Sequence, residues 1–147
     1  FPTCDKFEIC SLCEKILKFE FNLKYTMTNS QTNYDLEERT TQFSGKLIIF
    51  LKKIPQTSIF IPLVNQCLRS GTSIGANYRE ANGASSRKDF FNKIFICKKE
   101  AKETLYWLEI IEKALDDDNL RLDCHDLHSE TKEFILIFGK IVSNSKV

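Results

Sequence analysis

The sequence predicts an all-α protein, an antiparallel up-down four-helix bundle. Three observations support this: few turn residues, four stretches with helical spacing of apolar residues, and short connections between them. The chain has 147 residues but only 5 glycines and 3 prolines, too few for the many turns of a β-sandwich. We expect one domain, with residues 34–147 forming the bundle and residues 1–33 forming a partly disordered N-terminal extension or linker.

The first 33 residues differ from the rest, because a polar run without periodicity at 28–33 separates them from the first bundle helix. Met27 is the only methionine, so one interpretation places the natural start there and treats residues 1–26 as additional. The competing interpretation is a short amphipathic helix, since four apolar residues recur at helical spacing. They are Leu12, Ile16, Phe19 and Leu23.

The first main helix is expected to begin near Leu36. Asp35 is suited to be its N-cap, and Glu38 three residues later completes a capping-box pattern. Pro55 ends the helix because proline cannot continue the backbone hydrogen bonds. The predicted buried stripe comprises Leu36, Thr40, Phe43, Leu47, Phe50 and Ile54.

The second helix is expected to begin after Ser58, where Pro62 is tolerated because the first N–H groups of a helix have no helical partner. Asn82 and Gly83 end it. Its apolar stripe follows steps of three and four residues. The stripe comprises Val64, Cys67, Leu68, Gly71, Ile74, Gly75 and Tyr78.

Ser86 is predicted to cap the third helix, with Asp89 as the acidic partner three residues on. The polar run 116–119 should break this helix as a solvated loop. Its stripe comprises Phe90, Ile94, Cys97, Ala101, Leu105, Leu108, Ile111 and Leu115. The fourth helix is expected from about Cys124, capped by Asp123, to about Ser143. Its stripe comprises Leu127, Thr131, Phe134, Phe138 and Ile141.

The segment from Ser70 to Tyr78 contains no charge, which is unusual for the surface helix of a monomer. Its side opposite the apolar stripe carries only small or uncharged polar residues. We therefore expect this side to pack against another subunit of a homo-oligomer, whereas the alternative is a helix buried at the centre of a monomeric bundle. The predicted interface residues are Thr72, Ser73, Ala76 and Asn77.

Charged residues bracket this segment and suggest a polar lock that fixes the register between helices or subunits. In an antiparallel hairpin, Arg69 lies level with Glu100 and Glu103, so an ion pair with one of them is expected. Glu80 lies level with Arg87 and Lys88 on the same argument. The alternative is a set of solvated surface pairs worth ~0–1 kcal/mol each.

Candidate catalytic or metal-binding patterns are weak. Cys10-x-x-Cys13 has no second pair at zinc-finger spacing, and the run from Asp123 to His128 is better explained as a polar first helical turn. We therefore expect no enzyme activity, cofactor, metal or small-molecule substrate. The six cysteines do not resemble a disulfide framework, and no apolar run is long enough to span a membrane, so a cytoplasmic setting is expected.

Basic residues provide a better candidate for binding. Repeated around a ring, they could form a continuous surface that binds the backbone of RNA or DNA by counterion release. The alternative is a solvated helix face partly neutralised by neighbouring acids such as Asp89. The candidate contacts are Arg79, Arg87, Lys88, Lys93, Lys98, Lys99 and Lys102.

Four runs at matching spacing, 34–40, 68–70, 73–81 and 98–108, resemble the bacterial four-helix-bundle family that includes proteins encoded in intervening sequences of 23S ribosomal RNA genes. The resemblance covers about residues 34–142. It implies a left-handed bundle that assembles as a ring, typically a homopentamer. Gly71 departs from the family pattern, which usually has alanine there.

The function expected from these observations is a non-enzymatic, homo-oligomeric scaffold or adaptor, associated with ribosomal RNA. The alternative is a nucleic-acid-binding accessory protein that partners a reverse transcriptase. That alternative is implied by a distant relative of the family, the accessory protein of diversity-generating retroelements.

Overall fold

The computed structural model describes residues 36–143, which form four α-helices. They are α1 (Leu36–Leu51), α2 (Phe60–Asn82), α3 (Arg87–Ala114) and α4 (Asp118–Ser143). The described residues contain no strand, so the all-α prediction is confirmed. The predicted Asp35 cap, the Cys10–Cys13 pair and the Met27 start lie outside the described residues. None of these four helices is long and apolar enough to cross a bilayer.

Each helix packs against two neighbours: α1 and α3 both lie between α2 and α4. Side-chain pairs show the direction of neighbouring helices. Arg69 and Glu80 of α2 contact Glu103 and Lys93 of α3 respectively, so residue numbers rise along one helix as they fall along the other. α2 and α3 are therefore antiparallel, and the pairs Arg39–Glu130 and Lys53–Asp123 show the same for the chain through α1 against α4.

The core consists of the inward stripes of the four helices. All predicted stripe residues of α1 and α4 are buried, which confirms both patterns. The ring of Phe134 in α4 lies edge-on to Phe43 of α1, with 5.3 Å between the ring centroids. It also stacks near Phe138 of its own helix, with 6.0 Å between centroids. Aromatic pairs of this kind stabilise a core by about 0.5–1.5 kcal/mol beyond the burial of their area.

The stripes of α2 and α3 differ from prediction at a few positions. Leu68 points outward, and Val64 and Leu105 are only half-buried. Ser70 and Thr104 are fully buried instead, with their hydroxyls 3.0 Å apart. Each hydroxyl also has a backbone carbonyl within reach, so burial leaves neither unsatisfied.

The predicted start of α4 was wrong by six residues. The helix begins at Asp118, because the side chain of Asp117 accepts hydrogen bonds from the N–H groups of Asn119 (2.8 Å) and Leu120 (3.1 Å). Asp117 is therefore the N-cap. Asp123, the predicted cap, lies within the helix and pairs with Lys53 at 2.7 Å. The predicted Ser86 cap of α3 is confirmed by its bond from the Asp89 N–H at 3.1 Å.

Candidate interaction surfaces

The outward side of α2 is uncharged along most of its length. Ile61, Leu68, Thr72 and Ala76 recur there at helical spacing, and we call these four residues the α2 face. Ile61 is 42% exposed and Leu68 36% exposed, Ala76 is exposed and Thr72 is half-buried. The described part of the chain therefore leaves this side uncovered, so the other three helices do not bury α2 on all sides.

Polar side chains near the α2 face hydrogen-bond to their own helix. The Thr72 hydroxyl donates to the Leu68 carbonyl (2.8 Å), the Ser73 hydroxyl to the Arg69 carbonyl (2.7 Å), and the Asn77 amide to the Ser73 carbonyl (2.9 Å). Burying a donor is costly only if it has no acceptor. Covering this surface would therefore leave none of these donors unsatisfied.

The predicted interface residues lie on two sides of α2. Thr72 and Ala76 belong to the outward face, whereas Ser73 and Asn77 are half-buried on the flank that continues the Arg69 and Glu80 side towards α3. The small residues of the segment serve a different contact, inside the subunit. A Cβ added at Gly75 would lie 3.3 Å from Thr40 Oγ1.

Ion pairs lie between α2 and α3 where the polar lock was predicted, and their role in fixing the register stays a prediction. Arg69 contacts Glu103 and lies 3.5 Å from Glu100 Oε2, a buried atom that has no hydrogen-bond partner among residues 36–143. At 3.5 Å the Glu100 contact is an ion pair but not a good hydrogen bond. Glu80 pairs with Lys93 rather than with Arg87 or Lys88.

The electrostatics of Glu103 follow from this lock. Burial alone would raise the pKa of Glu103, but hydrogen bonds from Arg69 and Trp107 outweigh it and hold the pKa below its ordinary value. The ionised form of Glu103 is therefore favoured in the folded chain.

An ion-pair network between α1 and α4 was not anticipated from the sequence. Arg39 contacts both Glu130 and Glu133, with its Nη2 2.8 Å from Glu130 Oε2, and its guanidinium lies 5.1 Å from the Phe134 ring centre. The partners are more than 90 residues apart, so no local pattern could reveal them. An open cleft of about 330 Å³ beside this network has charges of both signs, with Lys46 on one wall and Asp126 on the other.

The seven candidate nucleic-acid contacts do not form one patch. Arg79 pairs with Glu37 of α1 at 3.2 Å, and Lys93 pairs with Glu80 in the α2–α3 groove. The guanidinium of Arg87 lies over the Phe91 ring at 5.6 Å. Lys98 lies against Gly139 of α4. The remaining three, Lys88, Lys99 and Lys102, are exposed.

The run from Asp123 to His128 is divided among separate environments. Cys124 is buried with its Sγ 3.5 Å from the Leu108 carbonyl, whereas His128 lies 3.2 Å from Glu109 Oε1. His125 is exposed. Between residues 36 and 143, no group of three or more His, Cys, Asp or Glu side chains is arranged to hold a metal ion.

These observations define an all-α four-helix bundle with an uncharged outward side on α2 and ion-pair networks between neighbouring helices. The model of one protein family, the 23S rRNA-intervening sequence proteins, matches residues 32–120, which include α1, α2 and α3. The chain belongs to this family, and the resemblance inferred from the four sequence runs is confirmed.

Among solved structures, the chain is similar to a protein of unknown function from the S23 ribosomal protein family of Bacteroides thetaiotaomicron. The two are 33% identical, with a TM-score of 0.66. The match covers 74% of this chain and 98% of that one. No curated protein matches the sequence. The homopentamer and the reverse-transcriptase partner stay predictions.

Proposed function

We propose that this protein is a non-enzymatic scaffold of the cytoplasm that assembles with copies of itself through the α2 face. The observation that carries this proposal is the exposure of an uncharged helix side whose polar groups are already hydrogen-bonded. Such a surface loses little when it is dehydrated and gains from burial of Ile61 and Leu68.

The size of the face indicates that α1 takes part in the interface. From Ile61 to Ala76 the face is about 23 Å long at ~1.5 Å per residue. A single helix stripe of that length falls well short of the roughly 800 Å² per partner in a standard interface. Ile48 of α1 is also exposed, and the Leu47–Gly71 contact places it close to Leu68. We therefore include Ile48 in the proposed interface.

A ring is the proposed form of the assembly, with five subunits as the family resemblance implies. In a ring, one surface of each subunit contacts a different surface of the next. The polar lock supports this role by holding α2 and α3 in register within each subunit. The face that meets the neighbour would then be rigid before assembly.

The non-enzymatic part of the proposal is supported by how the reactive groups are used. Burial raises the pKa of the Cys67, Cys97 and Cys124 thiols to about 12, so none is a nucleophile at neutral pH. Such buried thiols also suit a reducing compartment.

The proposal can be tested by multi-angle light scattering and native mass spectrometry on the full chain at 10–100 µM (about the range for micromolar association). We expect an oligomer for the unmodified protein. We expect Thr72→Lys/Ala76→Lys to be monomeric, because each copy would bury two unpaired charges.

Ser129→Lys is the matched control, since Ser129 is a small exposed residue on the outward side of α4. It should assemble like the unmodified protein, with the same helix content by circular dichroism. A monomer at 100 µM for the unmodified chain would overturn the proposal, as would undiminished assembly of the double variant. A subunit number other than five would overturn only the pentamer.

Nucleic-acid binding, as an accessory to a reverse transcriptase, is the second candidate function. Lys98, Lys99 and Lys102 favour its nucleic-acid part, because they form no ion pair within the described residues. The reverse-transcriptase part would be tested by measuring whether an immobilised reverse transcriptase retains this protein.

A further inference from the structure

The groove between α3 and α4 gathers lysines from both helices. Two contacts set its register: Glu109 meets His128, and a Cβ built at Gly139 would lie 3.4 Å from Lys98 Nζ. Residue numbers therefore fall along α4 as they rise along α3. Lys102 is one turn beyond Lys98, and Lys132 is one turn beyond His128, so the two lysines lie within about 5 Å of each other along the groove.

This lysine cluster is not neutralised. Lys98, Lys102 and Lys132 form no ion pair within residues 36–143, unlike Arg69, Arg79 and Lys93 on other sides of the bundle. Glu109 of α3 lies at one end of the groove, and Gly139 of α4 lies towards the other end. Between these two levels, the positions of α3 and α4 that border the groove carry no acidic residue. A polyanion placed here would meet no opposing carboxylate along two to three helical turns.

Exposed aromatic rings lie at both ends of the cluster. Phe95 is 51% exposed and Tyr106 is 55% exposed, and they stand about 16 Å apart on the outer side of α3 with the lysines between them. Leu136, 72% exposed, continues the apolar edge on α4. Exposed aromatic rings beside a line of lysines are the combination of groups that proteins use to bind single-stranded nucleic acid.

We propose that the α3–α4 groove binds single-stranded nucleic acid. The phosphates contact Lys98, Lys102 and Lys132, and unpaired bases stack on Phe95 and Tyr106. This inference rests on the second candidate function and specifies its site and ligand class. Single strands are favoured over duplex because base faces are free to stack on aromatic rings only when the bases are unpaired.

An acidic helix from a protein partner fits the groove less well. A helix in a groove needs an apolar floor with charges at the rim. Here the arrangement is reversed: Lys98 crosses Gly139 and is half-buried, whereas Phe95 and Tyr106 stand outside it. A central line of charge with aromatic rings on its edges matches a phosphodiester backbone with splayed bases.

The test is fluorescence anisotropy with labelled 15-nucleotide strands of uridine RNA and thymidine DNA and with 15-base-pair duplexes, each over a salt series. We expect single strands to bind at least about fivefold more tightly than duplexes. Comparison of the RNA and DNA strands identifies which sugar is preferred, since the proposal rests only on their shared chemistry.

Two variants separate the charge and stacking contributions. Lys98→Gln/Lys102→Gln/Lys132→Gln should bind at least about tenfold more weakly and reduce the salt slope by about two, as expected for three lost phosphate contacts on a single strand. Phe95→Ala/Tyr106→Ala should bind about tenfold more weakly with the slope unchanged. The control Lys46→Gln/Lys52→Gln/Lys53→Gln removes three exposed lysines that lie in α1 or directly after it, away from α3, and should leave the affinity and the salt slope unchanged.

Each other result has a distinct meaning. Equal binding of duplex and single strand, with no effect of the aromatic variant, would overturn the inference and leave charge-driven nucleic-acid binding in place. No change in anisotropy for any strand or duplex at about 50 mM salt, where phosphate contacts are strong, would overturn both this inference and the nucleic-acid part of the second candidate function. A poly-glutamate chain of equal charge that binds as tightly as RNA, with the same response to the variants, would assign the groove to an acidic protein instead.

Discussion

At the scale of single residues, the glycines of α1 and α2 lie in very different surroundings. A Cβ at Gly71 would overlap the side chain of Leu47, which is fully buried and has little room to move. A Cβ at Gly45 would meet nothing within 4 Å. The absence of a side chain is therefore required for packing at one position and is only a loss of helix propensity at the other.

We predict opposite effects of alanine at these positions. Gly45→Ala should raise the free energy of unfolding by about 0.5–1 kcal/mol through helix propensity. Gly71→Ala should lower it by about 1–2 kcal/mol, because overpacking against Leu47 costs more than the propensity gain. Urea denaturation measures both, and a stabilised Gly71→Ala protein would show that Leu47 can repack freely.

The Arg69–Glu103 pair predicts a pH dependence. The pKa of Glu103 is lowered in the folded chain, so the pair stabilises the fold above the unfolded pKa of a glutamate, about 4.3. That contribution is lost as the pH falls through the lower folded pKa. The difference in unfolding free energy between the unmodified protein and Arg69→Gln should therefore be constant near pH 7 and shrink towards pH 3.

Lys52→Gln is the comparison for this pH series, since Lys52 is exposed and forms no ion pair within the described residues. Its effect should be small and nearly independent of pH over the same range. A difference for Arg69→Gln that stays the same at pH 3 would show that Arg69 stabilises the fold by packing of its alkyl chain rather than by charge.

At the scale of helices, the sequence predicts the repeating buried stripes better than it predicts where a helix begins. The stripes of α1 and α4 repeat over several turns, so the sum of many weak preferences identifies them. The start of α4 depends on which of three consecutive aspartates is the N-cap. Asp117 is the N-cap because it accepts hydrogen bonds from two N–H groups of the helix, and sequence alone does not show these bonds. The outward turn of Leu68 was missed because an apolar residue at helical spacing is normally buried.

The helix start gives a direct prediction. Asp117→Ala should lower the free energy of unfolding by about 1 kcal/mol, because two N–H groups at the start of α4 lose their acceptor. Asp123→Ala removes only a surface ion pair with Lys53 and should cost no more than about 0.5 kcal/mol. Thermal or urea denaturation compares them, and an equal cost for both would contradict the assignment of the cap.

At the scale of the whole molecule, long-range contacts limit what the sequence could predict. The family and the four helices follow from local patterns, whereas the distribution of cations depends on which helices become neighbours. Arg79 turns towards α1 and Lys98 towards α4, so a group that looks continuous along the chain is divided in space. The role proposed for Phe95 and Tyr106 of α3 depends on Lys132, which belongs to α4 and borders the same groove only because these two helices are neighbours.

Assembly should also be visible in thermal stability. If subunits associate through the α2 face, binding of each folded chain by its neighbours shifts unfolding to higher temperature as concentration rises. We predict that Tm increases between about 1 and 100 µM for the unmodified protein, across the concentrations where a micromolar complex forms. For Thr72→Lys/Ala76→Lys, Tm should be the same at all concentrations. A constant Tm for both proteins would argue against a weakly associating assembly.

The three buried thiols give the bundle built-in reporters of local opening. Cys67, Cys97 and Cys124 belong to α2, α3 and α4 respectively, so each of these three helices carries one and α1 carries none. A thiol reagent can modify them only when the helix around them opens to water, and modification rates thus measure how often each helix opens. With Cys4, Cys10 and Cys13 replaced by serine, mass spectrometry of partly labelled protein would rank the three helices by their opening rates without any introduced probe.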